Sequence, residues 1–413
     1  MNAFKLVLLI AVLVAIAIVY NWSMLDNLII ALVALLVVAW LWSRGSLNRL
    51  GLRRTLTSDR IRAGEVIEEE LELTNHSWMP HLWIEVQDHS TLPDHHAGSV
   101  VSVGGRATST WRSQTRVLRR GVYRLGPFTL HGGDPFGIFE KRRLIPVSHE
   151  LVVYPAPIDV SSIPLPVAGM SGGTVRQGNI ALSSPTIAGV REYAPGDPLN
   201  HVSWSATARR GVVMVKEFEP DPTADLWLVL DLSERGQFNL EGRPTHGRPG
   251  ALAESLLDTT AEYIVSIGGS LAEKALAEGR KVGIVINRSM PIRLDADNSQ
   301  RQWFRVFEML ASATAFGNRS LAEALAVDAR RFSSAKGLVV VTSDPETDWA
   351  PAARALAERR VSVSAVVVDA GGEGDDSVTP LIEALAAARV GVTRFPTHTA
   401  KAHHVEPFHV HAT

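Results

Sequence analysis

The stretch Gly189-Val190-Arg191-Glu192-Tyr193-Ala194-Pro195-Gly196-Asp197-Pro198-Leu199-Asn200-His201-Val202-Ser203-Trp204 gathers charged and aromatic side chains into one short unit. Pro195-Gly196 suits a tight turn, the proline fixing φ and the glycine taking positive φ. Asp197 predicts a helix N-cap, with Pro198 at the first helical position, where its missing N–H costs nothing. Leu199, Val202 and Ala206 would share one face of that helix, Arg209-Arg210-Gly211 would end it, and a strand from Val212 to Phe218 would lead out. Two readings of Arg191, Glu192, Tyr193, Asp197, Trp204 and Arg209 stand side by side. One is an exposed recognition surface, and the other a buried polar joint in which Arg191, Glu192, Asp197 and Arg209 satisfy one another. A hydrolase reading would use Ser203 and His201 in a cleft and needs the two within hydrogen-bond reach.

Histidine offers other chemistry. His89, His95 and His96 lie near Asp88 and Asp94, and His398, His403, His404, His409 and His411 gather near the C-terminal end. Either group could ligate a transition metal or consist of exposed loop histidines, and neither has a His-Glu-x-x-His spacing. Arg106, Arg112, Arg116, Arg119, Arg120 and Arg124 could meet anionic lipid or an acidic partner, or be the solvated face of strands. No Gly-x-x-x-x-Gly-Lys-[Ser/Thr] loop cradles phosphates, so the chain is not expected to hydrolyse ATP, and no Gly-x-Ser-x-Gly elbow presents a serine. The chain has no cysteine, which removes disulfides, thiolate zinc sites and thiol nucleophiles. With 41 basic and 43 acidic residues spread along 413, a net charge of −2 provides no field for nucleic acid. No small-molecule substrate is indicated.

The elements that would position these residues are legible in outline. Residues 1–43 hold only Lys5 and Asp26 as charged side chains, and two apolar runs, Phe4–Tyr20 and Leu28–Trp42, predict a transmembrane helical hairpin. Tyr20, Trp22, Trp40 and Trp42 fall where aromatic rings favour the membrane interface, and no small-x-small cleavage site follows the first run. Lys5 before the hairpin and Arg44, Arg49, Arg53 and Arg54 after it predict cytoplasmic termini, hence a two-span cell-membrane protein with its soluble part in the cytoplasm. Residues 44–155 alternate polar and apolar in short runs broken by turn residues, as Val66–Leu73 does, and predict a β-sandwich. Residues 156–222 hold a Pro-, Gly- and Ser-rich connection and the unit above. Residues 223–396 alternate apolar strands (Leu226–Leu230, Val282–Ile286, Leu338–Val341, Val361–Val368, Val390–Phe395) with helical stretches. These begin near Ala251 and continue at Gln300–Phe316, Leu321–Phe332, Trp349–Arg359 and Pro380–Ala388. This is the pattern of an α/β, doubly wound, Rossmann-like sheet with functional loops at the carboxyl ends of its strands. Residues 397–413 read as a loosely structured tail.

Arg191-Glu192-Tyr193-x-Pro195-Gly196-Asp197, then Trp204, Ala208-Arg209 and Val215-Lys216-Glu217-Phe218, resemble the signature of the domain-of-unknown-function-58 (DUF58) proteins. Arg120-Gly121-Val122-Tyr123, Asp134-Pro135-Phe136-Gly137-Ile138-Phe139 and Val152-Val153-Tyr154-Pro155 are similar to that family's strand region. The resemblance implies a prokaryotic membrane protein with a von Willebrand factor type A-like α/β domain and a MoxR-type AAA+ ATPase as partner. It further implies a divalent-cation site of the Asp-x-Ser-x-Ser kind, with a threonine and an aspartate from two later loops. Here Asp231 and Ser233 match, Arg235 replaces the second serine, Arg319 (or Ser320, one residue on) stands where the threonine belongs, and Asp344 keeps the third loop. Oxygen ligands suit Mg²⁺, but two guanidinium groups would supply the charge that a metal supplies. The expectation is therefore a degenerate, metal-free site on a non-enzymatic adaptor that works with the ATPase in envelope assembly or stress response. The alternative is a Mg²⁺-dependent receptor using Asp231, Ser233 and Asp344.

Overall fold

Two apolar helices lead the chain, α1 (Asn2–Tyr20) and α2 (Ser23–Gly45). Met24–Gly45 is long and apolar enough to cross a membrane, and Ala3–Val19 is a shorter apolar helix. Asp26, expected in the turn between them, lies in the first turn of α2, where the positive end of the helix dipole favours a carboxylate. The computed structural model describes residues 2–20, 23–45, 47–166, 187–194, 202–218, 225–238, 259–332, 337–359, 361–370 and 377–397. It divides into two units, Met1–Tyr154 and Pro155–Thr413. The histidines from His398 onward lie outside the described residues.

After α2 the first unit is β-rich. Its strands are β1 (Leu50–Leu56), β2 (Arg60–Arg62), β3 (Val66–Asn75), β4 (His81–Asp88), β5 (Ser99–Val103), β6 (Thr108–Arg116), β7 (Gly121–Leu125), β8 (Phe128–Gly133), β9 (Glu140–Ile145) and β10 (His149–Tyr154). They form sheets ordered β1-β3-β6, β2-β10-β7 and β5-β4-β8-β9. Period-two alternation buries Leu50 and Leu52 of β1 with Leu71 and Leu73 of β3, and these share one core with Ile84, Val86, Phe128 and Leu130 of the four-stranded sheet.

The same alternation turns Arg54 and Glu69 inward. There they meet Asp88 and His95, all four side chains nearly inaccessible to solvent. Arg54 Nε lies 2.8 Å from Glu69 Oε2, and Arg54 Nη2 pairs with Asp88 Oδ2. His95 Nε2 sits 3.2 Å from Glu69 Oε1 and 3.1 Å from Asp88 Oδ2, while its Nδ1 is 3.1 Å from the Thr115 hydroxyl. The Arg54 guanidinium also lies over the Phe128 ring at 4.4 Å. Burial pushes the Glu69 carboxyl up, against the lowering pull of Arg54 and His95. Burial acts on Asp88 in the same sense, but bonds to His95 and Arg54 outweigh it and hold that carboxyl below its ordinary value. The expectation that His95 is an exposed loop histidine is corrected in its exposure: it lies in the connection between β4 and β5 but is buried, and no metal-ligating group of three is found among the described residues.

The second unit begins with an antiparallel pair, β11 (Ile187–Glu192) and β12 (Met214–Phe218), enclosing helix α3 (Trp204–Arg210). The α/β region follows: β13 (Leu226–Asp231), α4 (Thr260–Ala277), β14 (Val282–Asn287), β15 (Ile292–Asp297), α5 (Gln300–Ser312), α6 (Leu321–Asp328), β16 (Gly337–Thr342), α7 (Ala350–Glu358), β17 (Ser362–Asp369), α8 (Thr379–Ala387) and β18 (Gly391–Pro396). These strands form one mixed sheet ordered β15-β14-β13-β16-β17-β18. All neighbours are parallel except β15, antiparallel to β14. Trp227, Val229, Leu338 and Val340 bury one sheet face under α6, α7 and α8. Helix α4 contacts β13 and α5. The edge strand β15 was not anticipated; its half-buried Ile-Arg-Leu-Asp-Ala-Asp lacks the apolar run that marks the central strands.

Arg54→Met strands two buried carboxylates and should cost about 3–5 kcal/mol in chemical denaturation of the detergent-solubilised chain. Arg112→Ala, at the exposed pair with Glu70, should cost less than about 1 kcal/mol.

Candidate functional site

Each apolar strand of the α/β sheet ends on a polar residue as it leaves the core. The register sets Asp231 of β13 beside Asn287 of β14, and pairs Leu230 with Val341, which brings Thr342 of β16 up on the other side. Three neighbouring strand ends thus deliver an aspartate, an amide and a hydroxyl in a row. β13 and β16 are adjacent strands from which the sheet grows in opposite directions, the place where an open α/β sheet leaves a crevice.

Asp231 is fully buried. Its Oδ1 accepts from the Ser233 N–H at 3.2 Å and the Asn287 amide at 2.9 Å, and its Oδ2 accepts from the Thr342 hydroxyl at 2.8 Å. Burial pushes this carboxyl up, opposed by those bonds and one from the Ser233 side chain. Thr342 Oγ1 also accepts from the Asp344 N–H at 3.0 Å, so one hydroxyl joins the two acidic loops. Asp344 is 6% exposed, and its Oδ1 accepts from the Glu346 N–H at 3.1 Å. Burial, with the nearby charge of Asp231, Asp348 and Glu346, raises its carboxyl to about 6.

The loop after β13 is short and tightly held. Ser233 starts a single 3₁₀ turn, Glu234–Gly236. Gln237 Nε2 donates to the carbonyls of Asp231 and Ser233, and the Ser343 hydroxyl donates to the Gly236 carbonyl. A Cβ at Gly236 would lie 2.8–3.0 Å from Asp344 backbone and Cβ atoms, so only glycine allows this approach. On the far side, the Glu234 N–H donates to the Gly317 carbonyl and Glu234 Oε1 accepts from the Gly317 N–H. Gly317 has φ +78°, and a Cβ there would overlap the Ser289 hydroxyl. The helix expected to reach Phe316 stops at Ser312, and the Phe316 N–H donates to the Leu232 carbonyl.

The carboxyl edge of the sheet therefore brings Asp231, Ser233 and Asp344 together, all three buried. The two arginines behave otherwise than expected. Arg235 is exposed on the 3₁₀ turn, and neither arginine forms an ion pair with Asp231 or Asp344. Arg319 has a nearly buried guanidinium whose Nε lies 3.5 Å from Glu323, while its main-chain carbonyl accepts from Asn287 Nδ2 at 3.1 Å. Ser320 N-caps α6 by accepting from the Glu323 N–H. Neutral donors hold Asp231 in the role expected of guanidinium groups. They are Asn287, Thr342 and the Ser233 N–H; Asn287 was unforeseen, its only signal being a polar residue closing Val-Gly-Ile-Val-Ile. The remaining oxygens, on Asp344, Ser233 and one side of Asp231, are the hard ligand type that suits Mg²⁺, and among the described residues neither carboxylate has a paired cation.

The other expected residues belong to the β11–α3–β12 piece. Helix α3 begins at Trp204 with Ser203 as N-cap, and the N-cap expected at Asp197 lies outside the described residues. Val202 is not helical but forms a bridge with Val215. Trp204 is 73% exposed, Glu192, Tyr193 and Arg209 are also exposed, and Arg191 is half-buried, donating to the Glu192 carbonyl. Ser203 is buried and His201 lies outside the described residues.

Residues 189–374 match the family described as "Protein of unknown function DUF58". Uncharacterized protein YeaD of Bacillus subtilis is 27% identical over 169 residues, covering 40% of this chain and 36% of the relative. Uncharacterized protein Rv1480 of Mycobacterium tuberculosis is 27% identical over 182 residues, covering 43% of this chain and 53% of the relative. The matched stretch spans about half or less of these relatives' lengths. Among solved structures, a CARDB domain from Pyrococcus furiosus aligns with 25% of this chain and 91% of its own at 14% identity and a TM-score of 0.20, which carries no argument.

The raised Asp344 carboxyl gives a pH dependence of definite sign. The folded chain keeps this proton up to about pH 6, whereas the unfolded chain releases it near 3.8. Stability should therefore fall as pH rises from about 4 to 6, by about 2 kcal/mol after allowance for screening, and level off above. Asp344→Asn should reduce that slope in urea denaturation between pH 4 and 7, the raised carboxyls of Asp231 and Glu69 keeping their share; an unchanged slope would refute the assignment.

Proposed function

We propose that this chain is a membrane-anchored, non-enzymatic docking protein whose α/β unit is a von Willebrand factor type A-like domain that engages a partner through the crevice around Asp231 and Asp344. The observation that carries the reading is the sheet itself. Its order, with one antiparallel edge strand, sets Asp231 at the end of the first strand of the region, at the switch point, with Ser233 two residues on and Asp344 on the neighbouring loop. Helix α2, with α1 before it, is the anchor; the basic residues flanking the pair favour a cytoplasmic body. The partner proposed is the MoxR-type AAA+ ATPase that the family resemblance implies. The energy of ATP would come from it, since no phosphate loop exists in this sequence.

A second reading, a Mg²⁺-dependent receptor, is favoured by one observation: Asp344 and Asp231 lie close enough for the charge of one to raise the other, and neither arginine is paired with them. In this reading Asp231, Ser233 and Asp344 would hold the ion, and the ion would supply a Lewis-acid contact for an acidic group of the ligand.

Purification of the full chain from native membranes in detergent, with and without nucleotide, tests the first reading. A MoxR-type ATPase retained in a nucleotide-sensitive manner, and lost with Asp344→Lys, is expected; no such ATPase would sink the proposal. Titration calorimetry with Mg²⁺ separates the second, which requires a binding heat that vanishes in Asp231→Ala.

A further inference from the structure

The β-rich unit displays two large aromatic side chains to solvent at the end where α2 enters it. Trp78, in the loop between β3 and β4, is 74% exposed, and Phe136, at the tip between β8 and β9, is 57% exposed. The register sets Ile84 opposite Gly132, so both loops leave the same end of the four-stranded sheet. The loops are held from within. Buried Asn75 donates to the carbonyls of Met79 and Gly104 and accepts from the Ser77 N–H. Buried Asp134 accepts from the N–H groups of Phe136, Ile138 and Phe139. A protein that fixes two loop backbones so firmly and yet leaves their largest apolar side chains in water presents them to something.

The connection from α2 places that end. Leu47, just after the helix, is wholly buried in the β-rich core. Arg143 Nη1 donates to the carbonyls of Leu47 and Leu50, Lys141 Nζ donates to Asn48 Oδ1 at 2.8 Å, and the Asn48 amide donates to the Arg44 carbonyl. The Met79 side chain lies alongside Gly45, the last residue of α2. The helix is bolted to the sheets, so if α2 spans a bilayer the Trp78 and Phe136 loops stand at its surface. Arg44, Arg49 and Arg106 are exposed there, Arg106 donating its N–H to the Ser77 carbonyl beside Trp78. Aromatic rings with flanking cations are the chemistry of the interface between hydrocarbon and anionic headgroups.

We infer that Trp78 and Phe136 insert into the interface of the bilayer that α2 crosses, with Arg44, Arg49 and Arg106 on its anionic headgroups, so that the β-rich unit is seated on the membrane surface. This rests on the reading of α2 as a membrane span. Because the sequence has no cysteine, single substitutions give unique sites for an environment-sensitive dye in the full chain. The sites are Pro80→Cys and Glu140→Cys near the aromatics, Ile30→Cys in α2, and Val66→Cys at the opposite end of β3, about 30 Å away. In vesicles of phosphatidylcholine and phosphatidylglycerol, headgroup nitroxide should quench the labels at 80 and 140 but not at 66. The pair Trp78→Ser and Phe136→Ser should weaken that quenching about threefold while acyl-chain nitroxide still quenches at 30. Quenching at 30 with none at 80 or 140, or quenching indifferent to the double substitution, overturns the inference and leaves the span standing. No quenching at 30 removes the span reading, and the inference with it.

Discussion

The buried carboxylate of Asp231 is the constraint on which the α/β unit's carboxyl edge depends. An ionised group at this depth is tolerated only when donors surround it. The Ser233 N–H, Asn287 amide and Thr342 hydroxyl come from three different segments, and each must hold its position for the carboxylate to be satisfied. The requirement propagates outward. Thr342 fixes the Asp344 backbone, Asn287 fixes the Arg319 carbonyl, and the turn after Ser233 closes onto Asp344 so tightly that Gly236 has no room for a side chain.

The consequence is a carboxyl edge whose backbone is held by side-chain hydrogen bonds and in which two buried acidic residues are neighbours. Asp344 stands next to a carboxylate already supplied with donors, and its own carboxyl is raised first by burial and then by the neighbouring charge of Asp231, Asp348 and Glu346. Neither Arg235, which faces solvent, nor Arg319, which lies against Glu323, pairs with these carboxylates. A cationic group of a partner and a divalent ion would both do so. The β-rich unit handles buried charge in the opposite way: the Arg54 guanidinium pairs with Glu69 and Asp88 inside the protein, with the His95 ring within hydrogen-bond reach of both. There the cluster substitutes for apolar packing at inward strand positions.

Much of this architecture is written locally. Leu226–Leu230 and Val282–Ile286 read as buried parallel strands because nothing but apolar side chains fits between two helical layers, and the observed strands differ from those ranges only by the polar residue at each carboxyl end. The apolar runs at the N-terminal end read as helices for the same reason of composition, though α2 extends four residues and more beyond its apolar core to take in Asp26. Asp231, Ser233 and Asp344 were legible as a set through a motif resemblance. Strand β15 was not, because an edge strand half in solvent carries no periodic signature of its own. Nor was the early end of α5, which follows from Phe316 finding its backbone partner at Leu232, 84 positions earlier in the chain.

What the sequence determined by itself is therefore the order and type of its segments, since hydrophobic period and turn chemistry act between near neighbours. Tertiary structure alone decided which polar residues meet. His95 looked like an exposed loop histidine and is a buried one, because Arg54, Glu69 and Asp88 converge on it from three strands. Asn287 carried no mark of importance until β14 aligned it with Asp231. Two arginines adjacent to acidic residues in a motif turned elsewhere, because side-chain direction is fixed by packing that no linear spacing encodes.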